Sequence, residues 1–412
     1  MAARVAPDTL RSLADVAGDL MEHEPRLVDG IGFERSLRPA DADSLARTLA
    51  ALSAADVSVV VTGNGSRLSL GNPPRDAALL LDVSKLAGVD DFDPGEGVCH
   101  VGAGTSLGLI RDELATEGWE LPLDATGAQP TLGGVVAAAA AGPRALGYGA
   151  PRDVVLGLGV VLASGVRTRC GGRVVKNVTG YDLCKVYTGS LGSLGVIESA
   201  WLRLRPRPQA VRSLELVGEG IVEGVPAALA AARSPASRAV ALELAAPRSG
   251  EAFRLVVEFA GDASVVDREA ERLGNEFGAG DAPAKAIDAV RVAQGSRPGP
   301  SGLRFRVSTL ASHLGAVAMC LRAAGAGIQA QPGRSVVYAF FDGVDPAAAF
   351  EAAAEAARVG EGAALLEHGP PTAKRDRDVF GPPGSEFAIA LALKQRFDPQ
   401  GILNPGRFAG RL

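Results

Sequence analysis

An α+β chain of more than one domain is predicted by three features of the sequence. Between Arg38 and Leu204, short apolar runs of strand length alternate with glycine-rich loops and a few helical stretches. The double proline of Arg205-Pro-Arg-Pro208 then ends that texture. Beyond it, strand-like and helix-like segments alternate in the manner of an antiparallel sheet with helices on one face. With 412 residues, 47% of them apolar and 22% charged, the chain has material for roughly two to three cores.

Residues 1–28 read as a helical lead-in, because Leu10, Leu13, Val16, Ala17 and Leu20 recur at three- and four-residue spacing. Asp41 then opens a helix carrying Leu45, Leu49 and Leu52 on one face, and a buried strand follows at 57–62. Further strands are expected at 78–82, 97–102, 154–163, 166–169 and 195–204, with a helix at 106–117. The stretch 122–151 is rich in glycine and alanine, apolar and weakly periodic, which suits a segment covering a ligand better than a linker. In the second domain the pattern predicts strands at 213–217, 239–244, 253–259, 303–308, 336–341 and 363–367. Helices fall at 225–232, 263–277, 311–324 and 346–359. Lys374-Arg-Asp-Arg-Asp378 reads as a solvated loop, and a helix at 385–397 leads into a turn-rich tail expected to pack back on the first domain. The expected organisation is therefore 1–28, 29–208, 209–384 and 385–412.

Composition narrows the function. Forty-two basic against 47 acidic residues, a net charge of −5, leaves no electrostatic footprint for nucleic acid and no polybasic membrane patch. Cys99, Cys170, Cys184 and Cys320 form no C-x-x-C, and His23, His100, His313 and His368 are widely separated, so neither a zinc nor an iron–sulfur ligand set is expected. Asp8, Asp15 and Asp19 interrupt any signal-peptide core. The longest apolar runs, 132–142 and 154–164, fall short of the ~18–20 residues that cross a bilayer. The expected location is the cytoplasm, with the inner face of the membrane reached only through partners.

Three glycine motifs carry chemistry. Thr62-Gly63-Asn64-Gly65-Ser66 follows an apolar strand, where successive backbone N–H groups can form an anion nest and the missing Cβ atoms admit a pyrophosphate. At ~1.5–3 kcal/mol for each charge-assisted hydrogen bond, three or four such donors hold a diphosphate without a lysine. The same string also occurs as an ordinary turn. Gly102-Ala-Gly104-Thr-Ser-Leu-Gly108 misses the dinucleotide fingerprint by one position, and reads instead as a strand turning into a helix capped by Thr105 or Ser106. Thr131-Leu-Gly133-Gly134 and Gly189-Ser190-Leu-Gly192-Ser-Leu-Gly195-Val-Ile197 set small residues and hydroxyls before apolar runs. Such walls admit a flat ring system, and they equally suit tight helix–strand packing.

With Gly142-Pro-Arg144, Lys176-Asn-Val-Thr-Gly-Tyr-Asp-Leu183 and Phe397-Asp-Pro-Gln-Gly-Ile-Leu-Asn-Pro-Gly-Arg407, these motifs form an ordered series. In that series the chain resembles the FAD-binding E subunits of bacterial glycolate oxidases, within the vanillyl-alcohol-oxidase-like (PCMH-type) flavoprotein superfamily. The likeness runs from about residue 38 to 208 and resumes at the C-terminus. It implies a PCMH-type two-subdomain FAD-binding fold plus a cap domain. It also implies that Thr62, Gly63, Asn64, Gly65 and Ser66 hold the FAD pyrophosphate, with Thr131, Gly133, Gly134, Gly189, Ser190, Gly192, Gly195 and Ile197 lining the cofactor. Family members with covalent flavin use a histidine or cysteine in these loops; Asn64 and Ser66 stand here, so noncovalent FAD is expected. The implied reaction is glycolate to glyoxylate, with a sister FAD subunit and an iron–sulfur subunit as partners. One departure matters: the H-x-G-D-G-N-x-H-like motif of related D-lactate dehydrogenases and of the D subunit is absent. No catalytic base stands out, and Arg304, Arg334 and Arg407 are the candidates for a substrate carboxylate. A self-sufficient dehydrogenase of another 2-hydroxy acid such as D-lactate, and a flavin-free scaffold subunit, remain as alternatives.

Overall fold

The computed structural model describes residues 2–3, 5–17, 19–173, 181–219, 221–234, 238–246, 252–296, 299 and 301–412. Lys176 to Gly180 of the Lys176–Leu183 motif lie outside them. The chain forms two compact units: Met1–Ala140, Ala150–Pro206 and Pro382–Leu412 make the first, Ala141–Gly149 and Arg207–Gly381 the second.

The first unit holds two sheets. In the four-stranded one the order is Leu20–Val28, Ile31–Leu37, Leu79–Asp82, Val59–Thr62, antiparallel across the first pair and parallel thereafter. Here the expected helical lead-in is corrected. Pro7–Ala17 is a helix with Leu10 and Leu13 buried, but Leu20–Val28 is a strand. The cause is Asp29-Gly30, whose φ values of 47° and 81° suit a two-residue hairpin turn and fold that strand back onto the next. The helix Ala42–Ala54 forms where its apolar spacing placed it, and Asp41 and Ser44 close a reciprocal capping box. Its Leu45, Leu49 and Leu52 are fully buried against Val59, Leu79 and Leu81.

The second sheet of this unit runs Val89–Asp93, Val98–Gly102, Val196–Arg203, Val155–Val161, Arg167–Gly171, antiparallel throughout. Leu107–Ala115, capped by Ser106, and Leu132–Ala137 bury Leu107, Ile110, Leu114, Leu132, Val135 and Val136 in one core with Val101, Val160 and Leu202 of the strands. The Gly102–Gly104 turn is a packing device, since a Cβ at Gly104 would meet the Ser84 carbonyl oxygen at 2.5 Å. The C-terminal segment belongs to this unit. Leu403 bridges Val59, and Lys394, within the helix Phe387–Phe397, donates to the carbonyls of Ser193 and Leu403 and to the Asp398 carboxylate at 2.6–2.9 Å.

The second unit is built on an eight-stranded antiparallel sheet in the order Gly280–Asp281, Ala210–Gly218, Phe253–Gly261, Ala241–Ala246, Gly327–Gln331, Val336–Phe341, Leu303–Ser308, Ala364–His368. Residues from the helices Ile221–Arg233, Ala263–Phe277, Leu314–Ala323 and Pro346–Val359 share one core with alternate strand residues such as Leu242, Leu244, Leu255 and Val257. Ala241 and Val256, which point the other way, pack on Ala286 and Ile287 of an unanticipated helix, Ala286–Gly295.

Two expectations change here. The span 29–208 is not continuous, because Ala141–Gly149 clusters with the second unit. Arg144 pairs with Glu258 and Asp288, and the Gly147 N–H donates to the Val240 carbonyl at 3.1 Å. Lys374, read as part of a solvated loop, is fully buried in the short helix Pro371–Lys374. A lysine stem is apolar enough to occupy a core position when its ammonium has a partner.

Candidate functional site

The loop after Val59–Thr62 turns sharply at Gly65, with φ of 76°. Among the described residues, the N–H groups of Gly63, Asn64, Gly65 and Ser66 have no protein acceptor. Four successive unengaged amides are the nest that the sequence suggested. Side chains clip this loop to 126–131: Asn64 Nδ2 donates to the Gln129 carbonyl at 3.0 Å, and Arg67 Nη2 donates to the Thr126 carbonyl and hydroxyl at 2.8 and 2.6 Å. Gly63 is required by that approach, since a Cβ there would sit 2.5 Å from Thr131 Oγ1.

A third loop, 188–195, completes the wall. Its Leu191 holds a positive φ of 52°, rare for a branched residue, and is fixed from both sides. The Leu191 N–H donates to the Ala137 carbonyl at 2.8 Å, and its own carbonyl accepts from Asn404 Nδ2 at 2.8 Å. Asn404 Oδ1 in turn accepts from the Val61 N–H at 2.9 Å, tying the strand before the nest to the 188–195 loop. Arg407 Nη2 donates to the carbonyls of Leu68 and Leu70 at 2.8 and 2.5 Å. Burial pulls its guanidinium below the ordinary arginine range, and Asp29 at 3.7 Å opposes that only in part.

These loops enclose a cavity of about 80 Å³ lined by Thr62, Gly63, Gly65, Ser66, Thr131 and Gly134, with Arg67, Leu191, Asn404 and Arg407 among the rest of its wall. No lining residue is acidic. Unengaged amides at a cavity with no acidic lining residue make a site for an anion. The volume is several-fold below the ~300 Å³ at which whole-ligand pockets begin. It suits the phosphate end of a dinucleotide, whose remainder would extend beyond it.

The other predicted residues fall elsewhere. Asn64 is exposed and acts as a clip. Gly133 is closed off by Ala103, 2.9 Å from where a Cβ would sit, and Gly195 by Val160 at 2.6 Å. Ser190 is buried with its hydroxyl on the Tyr187 carbonyl, and Ile197 lies in the core. Gly189 and Gly192 take φ values of 88° and 68°, which shape the third loop. Arg304, buried, donates to the carbonyls of Gln294 and Ser296, and Arg407 is enclosed as described. Both guanidiniums donate to backbone carbonyls of their own unit. Arg334 is half-buried and donates to Gln331 Oε1 at 3.0 Å. It follows Gly327–Gln331 at the sheet end opposite Arg304, because Arg304 pairs with Phe340 whereas Ser308 pairs with Val336.

Asn404, Arg67 and Gln129 were not foreseen as site residues. Asn404 stands in the Asp-Pro-Gln-Gly-Ile-Leu-Asn-Pro-Gly run, and a conformation-tolerant asparagine between turn signals was the one local hint. Its removal is expected to cost ~1–3 kcal/mol, since it leaves two half-buried backbone groups without their partner. Asn404→Ala should accordingly lower the denaturant midpoint of the chain; an unchanged midpoint would show that water replaces the side chain.

A nest that opens from a strand end beside two glycine loops offers hydrogen-bond donors to an anion in an α+β domain. Residues 34–171 match the FAD binding domain family. That third of the chain thus carries an FAD binding domain, and FAD is its cofactor. Over 158 residues it is 39% identical to the glycolate oxidase subunit GlcE of Escherichia coli K12, covering 38% of this chain and 45% of that one. Over 187 residues it is 33% identical to the glycolate oxidase subunit GlcD of Bacillus subtilis, covering 45% and 40%. A D-lactate dehydrogenase of Archaeoglobus fulgidus is 33% identical over 172 residues, covering 42% and 38%. These matches span less than half the length of each relative. Among solved structures, alkyldihydroxyacetonephosphate synthase superposes with a TM-score of 0.74 at 15% identity over 98% of this chain and 87% of that one, a likeness of fold.

Proposed function

We propose that this chain is the FAD-binding subunit of a complex that oxidises glycolate to glyoxylate. The observation that carries the reading is the acid-free cavity with its four unengaged amides, set in a domain whose relatives include two glycolate oxidase subunits. The amides of Gly63, Asn64, Gly65 and Ser66 hold the pyrophosphate, while Thr131 and Gly134 face it from the second loop. Gly189 and Gly192 shape the third loop around the cofactor. Attachment is noncovalent, since neither 61–70 nor 126–134 contains histidine or cysteine. Bound FAD supplies a two-electron acceptor for the substrate CH–OH group.

The chain's own residues bind and orient. Arg334, whose guanidinium is half-buried with one donor on Gln331, is the candidate for a substrate carboxylate. No histidine lines the cavity: His100 pairs with Asp90 at 3.2 Å, and His313 lies 3.9 Å from Glu361. The hydroxy-acid chemistry is therefore assigned to a sister FAD subunit bearing the histidine-rich motif, and an iron–sulfur subunit is the electron outlet. No helix among the described residues is long and apolar enough to cross a membrane. A cytoplasmic complex, at the membrane only through partners, accords with that.

The test is the absorbance spectrum of the purified chain, followed by acid precipitation and by anaerobic glycolate. A flavin spectrum released by acid, unbleached by glycolate until the sister subunit is added, is expected. Bleaching by D-lactate in preference to glycolate would replace the proposal with a self-sufficient dehydrogenase. A colourless protein that takes up no added FAD would leave a scaffold.

A further inference from the structure

The fold brings two of the four cysteines together. Cys170 lies in the edge strand Arg167–Gly171 and Cys184 in the helix Leu183–Tyr187, and their Sγ atoms are 3.4 Å apart as free thiols. Gly171 makes the approach possible. Its φ is 64°, and a Cβ there would lie 3.0 Å from Cys184 Sγ and collide with the Leu156 carbonyl. Each sulfur also has a carbonyl within reach, Cys184 that of Cys170 at 3.5 Å and Cys170 that of Leu158 at 3.9 Å. Cys184 is buried, whereas Cys170 is half-buried at the wall of a groove of about 660 Å³ that Arg167, Arg169, His100 and Trp201 also line. None of the residues predicted for the cofactor lines that groove, so it is open to small solutes independently of the nucleotide loops.

We propose that Cys170 and Cys184 are an oxidation site, a dithiol that hydrogen peroxide converts to an intramolecular disulfide and that thiol reductants restore. The Cys170 thiolate attacks one peroxide oxygen; the O–O bond breaks, leaving a sulfenic acid and, after protonation, one water. The Cys184 sulfur then attacks the sulfenic sulfur. The S–S bond forms, the S–O bond breaks, and the hydroxyl departs with the Cys184 proton as the second water. Peroxide gains two electrons and the two thiols lose them.

The division of labour follows the environment. The hydrogen bond from Cys184 holds the Cys170 thiol below its ordinary range despite burial, and the same contact together with burial pushes Cys184 up. A more acidic, accessible thiol attacks and a buried one resolves. Cys99 is fully buried, which pushes its thiol up to about 12, and Cys320 is raised by burial and by Glu355. Neither competes. The new bond would join the edge strand to the helix.

The wild-type chain is titrated with hydrogen peroxide, alkylated after denaturation and mapped without reduction. Alkylatable thiols should fall from four to two. The Cys170 and Cys184 peptides should be joined with the loss of two hydrogens, and dithiothreitol should reverse both changes. In Cys184→Ser, dimedone should trap Cys170 as the sulfenic acid. Four alkylatable thiols after peroxide, first oxidation at Cys99 or Cys320, or a bond between chains would each overturn the proposal. The mapping uses the unaltered protein and does not depend on the fold of the variant or on bound flavin.

Discussion

Gly65→Asp is expected to purify without flavin. Gly65 stands in the middle of the four unengaged amides, at φ 76°. A carboxylate on its Cβ would accept hydrogen bonds meant for the pyrophosphate and set a negative charge beside it. At ~4–5 Å and an effective dielectric near 20, each like-charge pair costs roughly 3–4 kcal/mol, so affinity should fall by at least about a hundredfold. Gly65→Ala separates charge from shape. Its Cβ would lie 2.9 Å from Arg26 Nη2, the far end of a flexible side chain that can move aside. What remains is the left-handed backbone, worth ~1–2 kcal/mol of strain. The alanine variant should therefore retain flavin with a lower denaturant midpoint. The measurement is the flavin-to-protein absorbance ratio, and a wild-type ratio in Gly65→Asp would remove this loop from the cofactor site.

The strand and the glycine turn after it were legible because their signal is local: an apolar strand, then glycines and a hydroxyl within five residues. The helix Ala42–Ala54 was legible for the same reason, its cap at Asp41 and its leucine face both lying within a dozen residues. In the second unit, Ala263–Phe277, Leu303–Ser308, Val336–Phe341 and Pro346–Val359 fall where periodicity placed them. No strand was expected at Gly327–Gln331, where the polar Gln329 and Gln331 weaken the apolar pattern. Both are buried, their amides donating to the Glu243 carboxylate at 3.1 and 2.8 Å. A polar residue satisfied by a partner more than eighty positions away carries no local trace. Asn404 and Arg67 were missed on the same principle, since their partners are strands and loops that only the fold brings near. Arg304 and Arg407 have partners that their sequence positions do not announce. Arginine in a flavoprotein-like sequence suggests an anion, but these two face backbone carbonyls.

Arg144→Ala is expected to destabilise the second unit by roughly 3–5 kcal/mol, the cost of leaving a buried ion without its partner. Arg144 holds Glu258 through two hydrogen bonds, Nε to Oε1 at 2.6 Å and Nη2 to Oε2 at 3.0 Å, and reaches Asp288 Oδ1 through Nη1 at 2.8 Å. Glu258 is only 3% exposed, so its carboxylate cannot turn to water. Arg144→Lys keeps the charge but loses the fork and should fall between the two. With more than one unit in the chain, a single unfolding midpoint would blend their responses. Hydrogen exchange in Ala241–Ala246 and Phe253–Gly261 reads the second unit alone, and a 3 kcal/mol loss there is roughly a hundredfold faster exchange. Acid adds a sign to the prediction. Burial alone would raise the Asp288 carboxyl, but the Arg144 hydrogen bond and charge hold it below its ordinary range. Its folded value thus lies below its unfolded one, near 3.9, so its contribution is present above that pH and lost as pH falls through the folded value. Protection of these strands in the wild type should therefore decline below about pH 4, and the gap to Arg144→Ala should narrow there. Equal protection of wild type and Arg144→Ala at neutral pH would mean that Glu258 finds another cation, and that Gly142-Pro-Arg144 serves something other than the anchoring of Ala141–Gly149 to this sheet.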